Sequence, residues 1–469
     1  MLGAKLASWM VFAGVLLMVA SAGLLSSVIT DWEQTNGSHQ LNKLAANVDT
    51  SVAATSTTGL TLQDAEKLAK VWNTQITYSA GERGNAKAGI NKANCHIIGV
   101  NEYYRDFTHM RMIAGTTITL TSVGEHSRVA VISAKVSDQL YHSVQVVGKT
   151  IELWGVPFTV IGVFYDHDSL IKQMAGDGIP DVLIPVTTML DIRPELKIIN
   201  IELAAKSDAA LGGRTDVQHA LTAIGQNPTQ FRIDNNISDH TWIAQQKSLL
   251  LFIYGIIAVY LCLRFVPSQM SIVYARLKSR LVMENWQDAL NIERTMLVKH
   301  GLVVICLIAV AAILWKWIAF QLYIPPDWIP EEIIDLPFYM DKLRNLWQQN
   351  ILLAGYLPSS QEALTAAAGK LTGWLLITGV VMGLPLFLLG VRMWAITRIP
   401  LLKQLVILLF FVPAATAITF AAARWAGMDY LIDLRDITVS GVLFTVTAVY
   451  FQNQKTIKGV LMNNEENHD

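Results

Sequence analysis

The most informative stretch of the chain is residues 147–163, which read Val-Gly-Lys-Thr-Ile-Glu-Leu-Trp-Gly-Val-Pro-Phe-Thr-Val-Ile-Gly-Val. Residues 150–154 and 158–164 are two runs rich in β-branched and aromatic side chains, a composition that favours strands. The two runs are separated by Gly155-Val156-Pro157, residue types that mark turns. This pattern predicts a β-hairpin.

The residues on either side of the hairpin predict a domain of mixed α and β structure. Strand-like runs occupy residues 75–78, 96–100, 128–133, 182–185 and 198–203. Thr61 is placed to cap a helix with an apolar face made of Leu62, Ala65, Leu68 and Trp72. Two more helices are predicted, over residues 134–142 and in the segment of Val217, Leu221 and Ile224 that ends at Gly225.

The composition places this domain in a membrane protein. Of 469 residues, 52% are hydrophobic and 16% are charged, against roughly 25% charged in ordinary soluble domains. The 36 Lys and Arg against 37 Asp and Glu exclude a nucleic-acid-binding protein that relies on a basic surface. A span needs about 20 apolar helical residues. Such stretches occur at residues 8–29, 248–266, 301–323, 371–391, 404–423 and 437–451.

The sequence therefore predicts a multi-pass α-helical membrane protein of about six spans, with a large mixed α/β extracytoplasmic domain between spans one and two. The first stretch has two interpretations. Lys5 and Ala20-Ser21-Ala22 are typical of a cleaved signal peptide. The apolar run continues to Ile29, however, which favours an uncleaved anchor.

Basic residues in the short loops predict the orientation. Residues 264–300 carry six of them, whereas residues 321–370 carry three basic residues against six acids. The loop of Arg392, Arg398 and Lys403 carries no acid. We therefore expect a cell (inner or cytoplasmic) membrane protein with both termini cytoplasmic.

The predicted domain plan follows from these spans. It comprises an N-terminal span (1–30), an extracytoplasmic domain (31–247), spans two and three (248–323) with a cytoplasmic loop (264–300), an extracytoplasmic loop (324–370), spans four to six (371–454) and a cytoplasmic tail (455–469).

The order of motifs in the external domain is similar to that of a known family. It contains Val129-Ala-Val-Ile-Ser133, the hairpin with Gly148-Lys149, and Asp181-Val-Leu-Ile-Pro185, preceded by Gly99-Val-Asn-Glu-Tyr-Tyr104 and Gly115. This succession, over about residues 75–235, resembles the periplasmic core domain of MacB-like ABC transporter permeases, the FtsX-type mechanotransmission class. That family typically has four spans, so the fifth and sixth spans here form an additional C-terminal hairpin.

The resemblance implies a permease subunit that is not itself an enzyme. ATP and Mg would be bound by a separate ABC ATPase subunit, since this chain has no Walker motif, and no cofactor is expected in the chain itself. The permease would work in the lipid bilayer as a dimer with a second copy or with a related permease. An extracytoplasmic protein partner is a further expectation.

The cytoplasmic loop contains the predicted ATPase-coupling residues. Its helical pattern interleaves apolar side chains with Arg276, Lys278, Arg280 and Glu284. Such a segment can lie on a membrane surface, dock in a groove of a partner, or act only as a basic flank that sets orientation. The family's Glu-Ile-Gly-Ile-Arg pattern is absent here, which marks a divergent coupling loop.

Other motifs point to packing rather than chemistry. Gly379 and Gly383 have the spacing that lets membrane helices approach closely, so they are helix-packing candidates. Gly148-Lys149-Thr150 lacks the first glycine of a phosphate-binding loop, because that position is Ser143. Cys95 is interpreted as a buried apolar residue, and Asp166-His167-Asp168 as a solvated loop. No catalytic, cofactor-binding or metal site is predicted.

Two other functions stay open at this point. One is an accessory or sensor protein that keeps the external domain but is uncoupled from an ATPase. The other is an envelope enzyme or regulator, in which the external domain binds and controls a partner such as a cell-wall hydrolase.

Overall fold

A computed structural model describes residues 2–49, 59–165, 170–176, 180–206, 209–281, 285–325, 328–330, 335–352, 358–397 and 399–466. The chain divides into two compact units. The external unit comprises residues 28–243 and 323–370, and the membrane unit comprises residues 1–27, 244–322 and 371–469. The loop between spans three and four therefore belongs to the same unit as the external domain.

A mixed β-sheet forms the framework of the external unit. Its ten strands, within the described residues, are β1 (Lys43–Val48), β2 (Ile76–Ala88), β3 (Asn91–Val100), β4 (Arg111–Gly115), β5 (Val129–Ser133), β6 (Thr150–Leu153), β7 (Val156–Tyr165), β8 (Val182–Pro185), β9 (Asn200–Ala204) and β10 (Phe231–Asn235). Their order is β10-β1-β9-β2-β3-β8-β5-β7-β4, with β6 paired to β2 and β7. Strand β1 lies antiparallel between β10 and β9.

Short helices cover the sheet. They are α2 (Leu62–Trp72), α3 (Tyr104–Phe107), α4 (Leu120–Gly124), α5 (Ala134–Tyr141), α6 (Leu170–Ala175), α7 (Val186–Ile192) and α8 (Ala209–Ala223). The predicted cap of α2 is confirmed, because the Thr61 side chain accepts from the Asp64 amide and the Asp64 carboxylate accepts from the Thr61 amide. Ala65, Leu68 and Trp72 are buried in the core between α2, α8 and the sheet.

The predicted hairpin is present as β6 and β7, but its turn is earlier than the sequence indicated. Leu153 pairs with Val156, so the turn residues are Trp154 and Gly155. Both have positive φ, 49° and 80°. Val156 and Pro157 therefore belong to β7 rather than to the turn.

The membrane unit is helical. Its long helices are α1 (Leu2–Gln34), α9 (Asn236–Leu281), α11 (Arg294–Ile318), α13 (Ser360–Ile377), α14 (Leu384–Ile396), α15 (Leu401–Trp425) and α16 (Leu434–Glu466). A six-residue π-helical segment, Thr378–Gly383, joins α13 and α14 into one span. A shorter helix of the same unit is α10 (Trp286–Ile292), whereas α12 (Leu336–Leu352) belongs to the external unit. In the described part of the chain six helices are long and apolar enough to cross a membrane, which confirms the predicted fold class.

The second span is longer than the sequence indicated. Helix α9 has 46 residues and continues through Arg264 and Pro267, the predicted start of the cytoplasmic loop. A proline costs a backbone hydrogen bond, but membrane helices tolerate it because neighbouring groups satisfy the freed carbonyl. At about 1.5 Å per residue, α9 is about twice as long as the hydrocarbon core is thick.

Candidate coupling sites

The first turn of α13 is fixed by its own capping box. The Ser359 hydroxyl accepts from the Glu362 amide at 3.2 Å, and a Glu362 carboxylate oxygen accepts from the Ser359 amide at 2.8 Å. This reciprocal pair satisfies two of the free amides at a helix start. The helix therefore begins at a defined residue beside the sheet.

This first turn contacts the edge strand β10 and its neighbour β1. Asn47 donates to the Ser359 hydroxyl at 3.3 Å, and Lys43 donates to the Gln361 side chain at 3.4 Å. Arg232 on β10 pairs with Glu362 at 3.6 Å. We call this set, together with Asp234 and Glu202, the β1–β10 junction. Because α13 continues beyond Lys370 into the fourth span, the junction joins the sheet directly to a membrane helix.

Lys43 is the most deeply buried charge of the junction. Its side chain is fully buried, and its ammonium lies 2.7 Å from Glu202 and donates to the Phe107 carbonyl at 2.8 Å. An unpaired buried ammonium would be strongly unfavourable, so these partners compensate the cost of burying Lys43.

Two carboxyl groups meet at the other side of the junction. Burial and the neighbouring Glu362 together raise the pKa of Asp234 to about 7, although Arg232 partly offsets both effects. Two carboxylates that share a site cannot both ionise without strong repulsion. The pair therefore holds a proton at mildly acidic pH.

This proton makes the stability of the junction depend on pH. The pKa of Asp234 is higher in the folded state than in an unfolded chain, so the folded state binds more protons between about pH 4 and pH 7. The resulting stabilisation is fully present at low pH and is lost as the pH rises through about 7. We therefore expect slower hydrogen exchange at β10 and at the start of α13 at about pH 5.5 than at about pH 8. The measured exchange rates are corrected for the intrinsic effect of pH.

The variant Asp234→Asn should remove most of this difference and should protect the junction at pH 8. Asp138→Asn, an identical change on the exposed side of α5, is the matched control and should leave the difference intact. Equal pH profiles for wild type and Asp234→Asn would contradict a shared proton.

Helices α1 and α9 also pass from a span into the external unit. Within that unit, His240 of α9 lies 2.7 Å from the Glu33 carboxylate of α1, and its ring lies 5.8 Å from the Trp32 ring. Three helices, α1, α9 and α13, thus have residues in both units.

The predicted glycines Gly379 and Gly383 lie against α1. A Cβ at Gly379 would lie 2.6 Å from the Tyr254 hydroxyl and 2.9 Å from the Ser21 Cβ, and one at Gly383 would lie 3.0 Å from Met18. Both glycines are in the π-helical segment. The structure thus places them where helix backbones approach closely.

Two further glycines of the same contact were not singled out in the sequence. A Cβ at Gly390 would lie 2.8 Å from the Val11 amide nitrogen, and one at Gly14 would lie 2.5 Å from the Phe387 amide nitrogen. Gly14 and Gly390 are not in a four-residue glycine repeat, so the spacing rule did not find them.

The predicted ATPase-coupling residues have different surroundings. Arg276 and Arg280, one turn apart on α9, lie 4.0 Å and 3.6 Å from Glu293, which precedes α11. Lys278 is exposed. Glu284 lies outside the described residues. The structure therefore brings two of the four candidates together, on a glutamate that sequence reasoning did not select.

The segment around the end of α9 and the start of α11 makes further hydrogen bonds and displays apolar side chains. His300 and Gln269 are 2.9 Å apart, and Asn453 donates to the Ser268 hydroxyl at 2.9 Å. Large exposed apolar residues accompany the basic ones: Met270, Tyr274, Leu281, Trp286, Leu290 and Ile292. A basic and apolar surface of this kind suits a partner groove or a lipid surface.

The structure describes two of the remaining motifs, those of Cys95 and Lys149. Cys95 is buried, and burial raises the pKa of its thiol to about 11, so a reactive thiolate is not favoured. Lys149 lies over the Tyr141 ring at 4.7 Å. Among the described residues no group of three or more His, Cys, Asp or Glu side chains could hold a metal ion. Asp166-His167-Asp168 lies outside that part of the chain.

Comparison with known families agrees with this architecture. Residues 8–214 match the family model of the MacB-like periplasmic core domain. The chain carries a MacB-like periplasmic core domain. The matched residues begin in α1 and end in α8, so β10, which pairs with β1 to complete the sheet, lies beyond them. The described residues also contain six candidate spans, so the chain combines this domain with a multi-pass helical membrane unit.

One curated relative is an uncharacterized ABC transporter permease, YvrN of Bacillus subtilis strain 168, which is 31% identical over 87 residues. The match covers 19% of this chain and 21% of that permease, so the chain spans only about a fifth of the relative's length. The periplasmic region of MacB from Actinobacillus actinomycetemcomitans overlaps with a TM-score of 0.37 and 18% identity, over 43% of this chain and 92% of that region. The extracellular domain of YknZ from Gram-positive bacteria overlaps with a TM-score of 0.34 and 19% identity, over 41% of this chain and all of that domain.

Proposed function

We propose that this protein is the membrane subunit of a MacB-like ABC system in the cell membrane, with both termini cytoplasmic. A separate ATPase subunit binds and hydrolyses ATP with Mg, and the resulting movement of the spans is transmitted to the external domain. The subunit works as a dimer with a second copy or with a related permease, and the moving domain acts on an extracytoplasmic substrate or partner.

One observation supports this proposal most directly. The MacB-like domain is connected to the membrane through three continuous helices, and α13 is held to the sheet by the charged β1–β10 junction. Continuous helices transmit rotation and translation, whereas flexible linkers would absorb them. The geometry therefore suits mechanical transmission better than transport through a ligand cavity.

The cytoplasmic surface gives the test. If Lys278 contacts the ATPase, Lys278→Glu should weaken association with the ATPase about tenfold or more. A partner surface that attracts a lysine would repel the carboxylate that replaces it. Association and stimulated ATP hydrolysis are measured with the purified subunits in lipid nanodiscs. Lys70→Glu, an identical change on the exposed side of external helix α2, is the matched control and should change neither.

Arg276 and Arg280 give a second arm of the same test. Reversing either charge also breaks its ion pair with Glu293, so the variants are compared with Glu293→Gln, which releases both arginines without removing them. Loss of association in the arginine variants but not in Glu293→Gln indicates direct contact. Retained association in all of these variants would contradict a coupling role for this surface.

One observation favours a second candidate function. The pairing of Arg276 and Arg280 with Glu293 within the chain leaves less free charge for a partner than the sequence indicated. An accessory or sensor protein that regulates an envelope partner, without an ATPase, would have such an internally paired surface. Absence of an ATPase subunit from complexes purified in mild detergent would favour this alternative.

A further inference from the structure

A groove of about 530 Å³ lies in the membrane unit between the first turns of α1 and α15. Aromatic side chains form its base, since the Phe12 and Phe411 rings are 5.0 Å apart and Trp9 packs edge-on against Phe12 at 6.3 Å. Ile407 extends the apolar lining along α15. The volume lies within the range of small-molecule sites in proteins.

The opening of the groove is positively charged. Lys5 and Lys403 both line it and both are exposed, and no carboxylate is among the described residues of its lining. Neither α1 nor α15 has an acidic residue in its first turn, and α15 has no side-chain cap. Two cations with no acidic residue in either first turn therefore make this end of the groove positively charged.

The charged end and the apolar lining of the groove follow each other in the same order as the headgroup and the acyl chain of a lipid. Helices α1 and α15 are the first and fifth of six candidate spans, so both begin on the same side of the membrane. The lysines lie at these first turns, whereas Phe12, Ile407 and Phe411 lie one to three turns further along the two helices. Trp9 has 70% of its surface exposed, between the charged and apolar parts, and tryptophan is typical of the headgroup level.

We propose that this groove binds an anionic phospholipid of the leaflet in which α1 and α15 begin. Lys5 and Lys403 contact the phosphate, and one acyl chain lies along Phe12, Ile407 and Phe411. The charge complementarity favours this occupant over the apolar face of another helix, because a packed helix would leave both lysines without an anion in the low-dielectric interface. The site is independent of any ATPase partner.

The test uses the full-length protein in nanodiscs of phosphatidylcholine that contain a minor share of phosphatidylglycerol. Phosphatidylglycerol that stays bound is counted by native mass spectrometry after release from the disc. We expect the wild-type protein to retain one molecule in preference to phosphatidylcholine. The double variant Lys5→Gln/Lys403→Gln should bind it about thirtyfold more weakly, since each lysine near a membrane surface contributes about 1 kcal/mol.

Two controls separate this site from general surface charge. Lys316→Gln/Arg424→Gln removes two cations from the last turns of α11 and α15, at the opposite membrane boundary, and should retain the lipid. Ile407→Trp narrows the apolar part of the groove without changing charge and should lower retention. Unchanged thermal stability shows that each variant is folded.

Three results would overturn the proposal. The first is equal retention of phosphatidylglycerol by the wild type and by Lys5→Gln/Lys403→Gln. The second is unchanged retention by Ile407→Trp, which would show that the lipid is held by surface charge outside the groove. The third is disulfide formation between two copies of Trp9→Cys with no phosphatidylglycerol bound, which would show that a second copy occupies the groove.

Discussion

Replacing Lys43 by methionine is expected to lower the free energy of unfolding of the external domain by about 3–5 kcal/mol. The change keeps the apolar stem but removes a fully buried ammonium. Glu202, whose side chain is only 16% exposed, then loses the cation at 2.7 Å, and the Phe107 carbonyl loses its donor. Hydrogen exchange of the β1 and β9 amides in the full-length protein measures the effect, with an expected loss of protection of about a hundredfold or more.

A second lysine on the same sheet gives the control for this prediction. Lys87 pairs with Glu152 at 3.7 Å, but both side chains are about half exposed, so Lys87→Met should cost about 1 kcal/mol or less. The double variant Lys43→Met/Glu202→Gln should recover much of the loss, because the uncompensated carboxylate is gone. If Lys43→Met and Lys87→Met cost the same, the buried pair does not stabilise the domain.

Replacing Gly14 by leucine should have the largest effect in the membrane unit. Even the first carbon of the new side chain would lie 2.5 Å from the Phe387 amide nitrogen and 2.7 Å from its Cα. Backbone atoms cannot rotate away as a side chain can, so α1 and α14 must separate. We expect a loss of about 3 kcal/mol, at the upper end for overpacking, measured as a lower unfolding temperature in detergent.

The same substitution at two other glycines provides a comparison for the destabilisation expected at Gly14. Gly379→Leu should cost less, because its nearest contact is the Tyr254 hydroxyl at the end of a side chain. Gly373 lies on the same span as Gly379, and no atom lies within 4 Å of a Cβ placed there. Gly373→Leu should therefore be neutral or slightly stabilising, because leucine has a higher helix propensity than glycine. Equal destabilisation by Gly14→Leu and Gly373→Leu would exclude close packing of α1 on α14 as the cause.

The sequence predicted the parts of the fold whose signal is local. Strand β7 alternates exposed and buried residues over most of its length, so the hairpin was evident. The turn was misplaced because Trp154 has positive φ, which is uncommon for residues other than glycine, while Pro157 lies in a strand.

The strands that the sequence did not predict depend on distant partners. All six residues of β1 are buried, including Lys43 and Asn47, which no alternation rule expects. Strand β10 carries Arg232 and Asp234, whose partner Glu362 is more than a hundred residues away. Polar residues in these two strands are favourable only when their distant partners have been brought to them by folding.

The candidate sites divide in the same way. The repeat of Gly379 and Gly383 was visible in the sequence, whereas Gly14 and Gly390 contribute to the same contact from positions without a repeat. The basic residues of the loop after the second span were visible too, but the pairing of Arg276 and Arg280 with Glu293 depends on how two helices pack. The groove of Lys5 and Lys403 brings together residues almost 400 positions apart, so it required the structure.

Helix α9 follows β10 without a linker, so the number of residues in α9 before the membrane determines which way its membrane-spanning side chains face. Helix α9 begins at Asn236, immediately after the last residue of β10, and the Asn235 side chain accepts from the Ile237 and Ser238 amides to fix its start. One residue inserted between the sheet and the membrane would turn everything beyond it by about 100°. Seven residues would restore the original facing to within about 20°. Natural insertions and deletions in this part of α9 should therefore come in units of about two helical turns.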